Sequence, residues 1–345
     1  MQDSSQRSAD CGLAPVRFGI VGAGAIAQAY AQAFAQTSRA TLAAVVDCRP
    51  EAARALAAVA SCPAFDSIEE MTSASVDAAI VCTPPATHRD VCCDLIQRGL
   101  HVLCEKPLAV DSTAAREMIA AAEVHNVVFT MASKFRYVSD VNQARTLIAA
   151  GVIGEVVLFE NVFTGRVDMS NRWNSDPLVA GGGVLIDNGT HSVDVTRYCL
   201  GELVEIQAME GNRIQELPVE DTAKMFVRSR SGVLASIDLS WSVSKELPYF
   251  IAVYGSSGTM LVGWRESKYR RAGEQDWTVF GSGYNKVEAF QRQIENFAGA
   301  VRGEEPLVVT PQDALASVKV IEAAYRSLRR GAWEPIIEPQ EELVS

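Results

Sequence analysis

The sequence is poor in the arrangements that build metal sites and disulfide frameworks. Its 345 residues include only four histidines, and none of its eight cysteines forms a C-x-x-C pair. Because a zinc site needs such ligands close together, we expect no bound metal. Several cysteines lie inside apolar runs such as AAIVCTP, which is typical of small buried side chains in a reducing compartment.

Long apolar runs and an excess of basic charge are also missing. No stretch of about 18 apolar residues occurs, so no membrane span is expected. The first segment, MQDSSQRSADCGLAPV, lacks the apolar region of a secretory signal, which makes the cytoplasm the expected location. The net charge of −11 argues against nucleic acid as a partner, because phosphate binding needs a basic surface.

The first part of the chain alternates between strand-like and helical segments. Apolar runs such as VRFGIVGAG, ATLAAVVD and HVLCEKP are separated by helical segments such as AIAQAYAQAFAQT. Strands that are apolar throughout and alternate with helices indicate a doubly wound parallel sheet covered on both faces. We therefore predict a flexible tail over residues 1–15 and a Rossmann α/β domain over residues 16–135.

The pattern changes in the second part of the chain. Segments such as EVVLFENVFTG, DTAKMFVRSRS and GVLASIDLSWSV follow one another with little helix between them, and several alternate in polarity. This is typical of an antiparallel sheet with one more exposed face. Residues 136–345 are therefore predicted to form a separate α+β domain, which ends in two helical segments.

A glycine loop precedes the first predicted helix. In GIVGAGAIA, Gly22, Gly24 and Ala27 have the G-x-G-x-x-[GA] spacing directly after a strand-like run. Gly22 would permit a tight turn, and Gly24 would let a pyrophosphate approach the backbone. The N–H groups of Ala25 and Ile26 at the helix N-terminus would then bind the phosphates. This pattern predicts a dinucleotide site; the alternative is a glycine turn in another kind of α/β protein.

An acidic residue ends the second predicted strand. Asp47 follows the glycine loop at a spacing where a carboxylate can accept hydrogen bonds from the adenosine ribose hydroxyls. The same carboxylate would repel a 2′-phosphate, so we predict NAD as the cofactor and NADP as less favoured. Arg49 could soften that preference. The alternative is that Asp47 is a solvated strand end.

Two further strands end in polar sequences. One ends in CTPPATH, with Thr83, Pro85 and His88, and the other ends in CEKP, with Glu105 and Lys106. Ligands bind at the carboxyl ends of parallel strands, so these residues are predicted at the cofactor site. His88 is expected chiefly to brace its loop. Lys106 is placed to donate a hydrogen bond to a substrate hydroxyl or carbonyl.

Together these motifs carry a family resemblance. GIVGAGAIA, CTPPATH and EKP are followed by GGGVLIDNGTH at residues 181–191, an order that resembles the Gfo/Idh/MocA oxidoreductases over residues 16–335. The resemblance implies an N-terminal Rossmann domain and a C-terminal domain with an open, mostly antiparallel sheet. It also implies NAD or NADP, a sugar or cyclitol substrate, and a homodimer or homotetramer formed through that sheet.

The resemblance also implies roles for particular residues. The family lysine corresponds to Lys106, and the D-x-x-x-H pair corresponds to Asp187 and His191, which share one face if the chain is helical from about residue 184. In this hypothesis His191 removes the substrate's hydroxyl proton and Lys106 hydrogen-bonds the same oxygen. Asp187 holds a neighbouring hydroxyl and tunes His191. The resemblance also implies a substrate contact from Arg136, a looser match. Independently of the resemblance, Trp173 in RWNSDP is expected to line the sugar site; the alternative is a packing role.

The glycines at 181–183 are expected to form a close-packed loop that lets backbone and substrate approach each other. Asp194 follows on the same helical face. We expect it to be structural and to pair with Arg197, three residues further on.

Several functions remain compatible with this pattern. The first is an NAD-dependent dehydrogenase or reductase of a sugar, cyclitol or sugar derivative. The second is the same chemistry on a nucleotide-linked sugar. The third is a non-catalytic dinucleotide-binding sensor, against which the intact Lys106, Asp187 and His191 argue. The fourth is a net non-redox reaction, such as glycoside cleavage through transient oxidation.

Overall fold

The computed structural model describes residues 14–336, so most of the predicted tail lies outside the described residues. The strands are β1 (Val16–Val21), β2 (Ala40–Val46), β3 (Ala64–Phe65), β4 (Ala78–Val81), β5 (His101–Glu105), β6 (Phe129–Ala132), β7 (Val156–Thr164), β8 (Leu203–Glu210), β9 (Thr222–Ser229), β10 (Leu234–Ser240), β11 (Tyr249–Gly255), β12 (Gly258–Gly263), β13 (Ser267–Arg271), β14 (Thr278–Gly281) and β15 (Glu334–Pro335). The helices are α1 (Ala25–Phe34), α2 (Pro50–Ala60), α3 (Ile68–Ser73), α4 (His88–Gln97), α5 (Ser112–Val124), α6 (Ser139–Ala149), α7 (Pro177–Ala180), α8 (Val184–Leu200), α9 (Lys286–Val301) and α10 (Pro311–Arg330).

The first sheet has six parallel strands in the order β3-β2-β1-β4-β5-β6. From β1 the strand order runs outward in one direction to β3, and from β4 it runs outward in the other direction to β6. This switch point between β1 and β4 opens a crevice at the carboxyl ends of the strands. All four residues of β4 are buried, as the unbroken apolar sequence predicts for a sheet covered on both faces. The predicted doubly wound Rossmann domain is confirmed.

The second sheet has nine strands in the order β14-β13-β12-β11-β7-β10-β9-β8-β15. Its neighbouring strands are antiparallel except for β7 and β10, which run parallel. The long helices α8 and α10 pack against strands of this sheet. The predicted mostly antiparallel sheet is therefore confirmed, with one parallel pair at its centre.

Helix α9 joins the core of the first domain, although the predicted boundary places it in the second. Its Phe297 ring lies 5.9 Å from the ring of Phe18 on β1, and its Phe290 ring lies 4.6 Å from that of Tyr30 on α1. The helical period of the sequence identifies an apolar face, but it does not identify the surface that buries this face. No helix within residues 14–336 is long and apolar enough to cross a membrane.

Candidate active site

The glycine loop between β1 and α1 packs directly on the end of β4. Gly22 has a φ of +98°, and a Cβ at this position would lie 2.8 Å from the backbone carbonyl carbon of Cys82. Gly24 precedes α1, no side chain caps that helix, and a Cβ on Gly24 would meet no protein atom within 4 Å. The approach to the N–H groups of Ala25 and Ile26 is therefore open, as a bound pyrophosphate requires.

Asp47 follows β2 next to this loop and is fixed by the backbone. Its carboxylate accepts hydrogen bonds from the N–H of Ala23 at 2.6 Å and from the N–H of Arg49 at 2.8 Å. Burial alone would raise the pKa of Asp47, but these hydrogen bonds outweigh it and lower the pKa. The group is therefore ionised at neutral pH, which suits ribose hydroxyls and opposes a phosphate. The Arg49 side chain is largely exposed, with Nε 3.5 Å from the carboxylate.

The loop after β4 supports the glycine loop from the other side. His88 is fully buried, and its ring nitrogens lie 2.9 Å from the Pro107 carbonyl oxygen and 2.8 Å from the Thr83 carbonyl oxygen. The ring thus braces two strand-end loops and offers no free nitrogen to a cofactor, which corrects its predicted place among the cofactor ligands. Pro85 is buried and the Thr83 hydroxyl accepts a hydrogen bond within the loop. Their contact with the cofactor stays a prediction.

A cavity of about 490 Å³ lies beyond the carboxyl ends of β5 and β6. Residues of both domains line it, and those of the first domain include Ile26 in the first turn of α1. The cavity therefore adjoins the predicted dinucleotide loop. Its polar and charged wall includes Glu105, Lys106, Lys134, Arg172, Asn174, Asp187, Asn188 and His191. Its aromatic wall consists of Phe135, Phe163, Trp241, Trp264 and Phe290.

Lys106, Asp187 and His191 meet in this cavity. The Lys106 ammonium donates hydrogen bonds to the Asp187 carboxylate and, at 3.2 Å, to the Asp187 carbonyl oxygen. Asp187 and His191 lie one turn apart on α8, as predicted. Within residues 14–336 no hydrogen bond joins Asp187 to His191, so the structure does not support the hypothesis that Asp187 tunes the imidazole. The side chain that Asp187 contacts is Lys106.

His191 is held as a neutral imidazole. It is 9 % exposed, and its ring meets the Phe135 ring edge-on at a centroid distance of 5.1 Å. Burial, followed by the positive charges of Lys106 and Lys134, lowers the pKa of His191 well below its usual value. A neutral imidazole in a substrate cavity can accept a proton at neutral pH.

The glycine run before α8 seats the helix on its neighbours. A Cβ on Gly182 would lie 1.9 Å from the Tyr325 hydroxyl oxygen, and one on Gly183 would lie 2.1 Å from the Glu220 carbonyl oxygen. The Glu220 carboxylate accepts hydrogen bonds from the N–H of Gly183 at 3.0 Å and of Leu185 at 3.1 Å. The glycines are close-packed as expected, but against protein. Their contribution is to fix the helix that carries Asp187 and His191.

Arg136 does not reach the cavity, and this corrects its predicted contact with substrate. The side chain is 4 % exposed, and its guanidinium binds the fully buried Asp194 at 2.7 Å and Asp313 at 3.1 Å. Asp194 is structural as expected, but its partner is Arg136; Arg197 instead pairs with Asp313 at 3.6 Å. A guanidinium engaged by two carboxylates is not available to a ligand.

The predicted substrate contact of Trp173 also needs correction, and one cavity residue was not predicted. Trp173 is 45 % exposed and lies outside the cavity wall, whereas its neighbours Arg172 and Asn174 belong to that wall. Lys134 is not among the predicted site residues, yet it lies two residues beyond the carboxyl end of β6 and lines the cavity. The sequence does contain a signal for Lys134, because a basic residue just after an apolar strand is the same pattern that predicts Lys106 at the ligand edge.

Comparison with known proteins identifies the family. Residues 16–133 match the model of the Gfo/Idh/MocA oxidoreductase family with an NAD-binding Rossmann fold, and residues 141–261 match the Gfo/Idh/MocA C-terminal domain. The rhizopine catabolism protein MocA of Rhizobium meliloti is 30% identical over 331 residues, which cover 91% of this chain and 95% of that protein. The chain belongs to the Gfo/Idh/MocA family.

Other members of the Gfo/Idh/MocA family resemble the chain along most of its length. Inositol 2-dehydrogenase of Rhizobium meliloti is 28% identical, with coverage of 91% of this chain and 97% of that enzyme. The structure of GenD2 from gentamicin A biosynthesis in complex with NAD has a TM-score of 0.82 and 26% identity, covering 94% of this chain and 97% of GenD2. Levoglucosan dehydrogenase has the same fold, with a TM-score of 0.87 at 19% identity, over 94% of this chain and 100% of that enzyme. This Gfo/Idh/MocA protein is thus an NAD-dependent oxidoreductase.

Proposed function

We propose that this oxidoreductase oxidises a secondary alcohol of a sugar, a cyclitol or a derivative of either with NAD, and reduces the corresponding ketone in the reverse direction. The observation that carries the proposal is one cavity lined by Ile26 of the dinucleotide loop and by Lys106, Asp187 and His191. Relatives named inositol 2-dehydrogenase and levoglucosan dehydrogenase support a polyhydroxylated substrate.

The side chains divide the chemistry of the substrate oxygen between them. The neutral imidazole of His191 accepts the proton of the substrate hydroxyl. The Lys106 ammonium donates a hydrogen bond to the same oxygen and stabilises its developing negative charge. Asp187 fixes that ammonium in place. When bound, NAD supplies the hydride acceptor. In the reverse direction protonated His191 returns the proton to the oxygen.

We also propose NAD over NADP, and an oligomer formed through the open face of the second sheet. The ionised Asp47 beside the glycine loop supports the cofactor preference. Two exposed apolar side chains on the open face of that sheet, Leu158 on β7 and Val279 on β14, support the interface. A cytoplasmic location is supported by the cysteines of the described residues, which are all free. Light scattering of the purified protein measures the oligomer size.

The function is tested by the absorbance of reduced nicotinamide. The protein is offered NAD or NADP with free inositols, aldoses and sugar acids, and separately with nucleotide-linked sugars. We expect turnover with NAD and a free polyol or sugar. Turnover confined to nucleotide-linked sugars would replace the proposed substrate class.

Variants test the assigned residues in the same assay. Lys106→Met and His191→Asn should each lower kcat by about 10²–10⁴-fold while NAD binding and folding persist. His125→Asn is the matched control, because His125 is exposed at the end of α5. Full turnover in both cavity variants would disprove the assignment.

A further inference from the structure

Lys134 is a cavity residue that the proposed mechanism does not use. Its ammonium lies 5.4 Å from the centroid of the Phe135 ring and 5.7 Å from that of Phe290. Within residues 14–336 no hydrogen bond or ion pair engages this ammonium. Aromatic faces offset only part of the cost of removing a charge from water.

The carboxylates that line the same cavity already have partners. Asp187 binds the Lys106 ammonium. Glu105 accepts hydrogen bonds from the Tyr30 hydroxyl at 2.7 Å and from the Lys106 backbone N–H at 3.1 Å. Neither carboxylate contacts Lys134, so among the described residues this half-buried ammonium has no direct counter-charge, as is also the case for the exposed Arg172 in the same wall.

Other cations surround Lys134. Lys106 and Arg172 line the same cavity. The Lys286 ammonium lies 6.0 Å from the centroid of the Phe290 ring, which Lys134 also contacts. Burial in the first place, and then Lys106 and Lys286, lower the pKa of Lys134 to about 8, against the opposing effect of the carboxylates of Glu105 and Asp187. His191 also faces this group, as a neutral ring.

We propose that Lys134 binds an anionic group, a carboxylate or a phosphate, carried by the sugar or cyclitol substrate. This inference rests on the proposed function and narrows its substrate class to sugar acids or sugar phosphates. An anion there would give Lys134 a charge-assisted hydrogen bond and would balance the positive charge of the wall. A neutral polyol would leave that ammonium without a counter-charge.

The test measures equilibrium binding by calorimetry on the NAD-loaded protein, so that it does not depend on turnover. The ligands form two matched pairs, glucuronate with glucose and glucose 6-phosphate with glucose. We expect one anion to bind at least about tenfold more tightly than glucose, as a charge-assisted hydrogen bond provides. The pair that shows the difference identifies carboxylate or phosphate. Equal affinity for glucose and both anions would overturn the proposal.

Variants assign the preference to this side chain. Lys134→Met should abolish the anion preference and leave glucose binding within about threefold, whereas Lys134→Arg should retain the preference. Lys286→Met is the matched control: it removes a neighbouring ammonium that does not line the cavity, and it should retain most of the preference. A preference unchanged in Lys134→Met, or a loss of NAD affinity in that variant, would assign Lys134 another role.

The pH dependence provides a second readout. The ammonium form of Lys134 predominates below pH 8 and is lost as the pH rises through this value. The anion preference of the native protein should therefore decline above pH 8, and Lys134→Arg should remove that decline. Turnover of neutral polyols without any anion preference would refute this inference alone. Anion preference without turnover of any alcohol would refute the proposed function and leave the anion site standing.

Discussion

Replacing Arg136 by methionine should destabilise the protein without altering substrate recognition. The guanidinium lies against the fully buried Asp194, with Nη2–Oδ1 at 2.7 Å and Nε–Oδ2 at 3.0 Å. Among the side chains of residues 14–336, the hydroxyls of Ser133 and Ser317 would remain as hydrogen-bond donors to this buried carboxylate. Removing one partner of a buried ion pair costs about 3–5 kcal/mol, because the other charge stays buried without compensation.

Thermal unfolding measures this effect, and a double-mutant cycle assigns it. Asp194→Asn in the Arg136→Met background removes the stranded charge, so the double variant should be more stable than the sum of the single effects by about 1–3 kcal/mol. Arg228→Met is the matched control, because its ion pair with Glu205 is exposed on the surface. Its loss should cost less than about 1 kcal/mol.

The kinetic constants of Arg136→Met distinguish the two roles of this residue. At a temperature where the variant is folded, its KM for substrate should equal that of the native protein. A tenfold rise in KM with unchanged thermal stability would refute the structural role and restore Arg136 as a substrate ligand.

The two remaining predictions concern glycines and the cofactor. Gly183→Ala places a Cβ 2.1 Å from the Glu220 carbonyl oxygen and should lower the free energy of unfolding by about 1–3 kcal/mol. In Gly24→Ala the new Cβ meets no protein atom within 4 Å, so this variant should keep its stability but bind NAD more weakly. Thermal unfolding and NAD titration of both variants check this, and identical behaviour of the two would contradict it. Asp47→Ser removes the carboxylate that opposes a 2′-phosphate, so the ratio of kcat/KM with NADP to kcat/KM with NAD should rise by about tenfold or more. An unchanged ratio in steady-state assays would show that Asp47 does not set the cofactor preference.

The parts of the site that the sequence predicts are those whose logic is local. The glycine loop can be identified from its spacing because strand, turn and helix are consecutive in the chain. Each glycine meets a requirement of the residues beside it, a tight turn at Gly22 and an open helix N-terminus at Gly24. Asp187 and His191 share a helix, so the helical period alone places them on one face. Lys106 follows an apolar strand, and the parallel sheet brings that strand end to the ligand edge.

The parts that the sequence does not predict depend on distant partners. Lys134 and Arg136 are two residues apart in KFRY, on one short 3-10 turn, yet the first lines the cavity and the second lies in the interior. Asp194, which decides the orientation of Arg136, is 58 residues further along the chain. Neither composition nor period indicates which basic side chain pairs with that carboxylate, because the sequence contains 31 lysines and arginines and does not show which of them lies near it.

The packing of α9 on the first domain has a consequence for how the chain is made. Phe18 on β1 and Phe297 on α9 belong to one core, and most of the second sheet lies between them in sequence. During synthesis the amino-terminal sheet therefore leaves the ribosome with part of its apolar surface uncovered, and it waits for nearly the whole chain before that surface is closed. Such long-range closure carries a large loop entropy and slows folding. The nascent Rossmann unit is thus a candidate client for chaperones until α9 emerges.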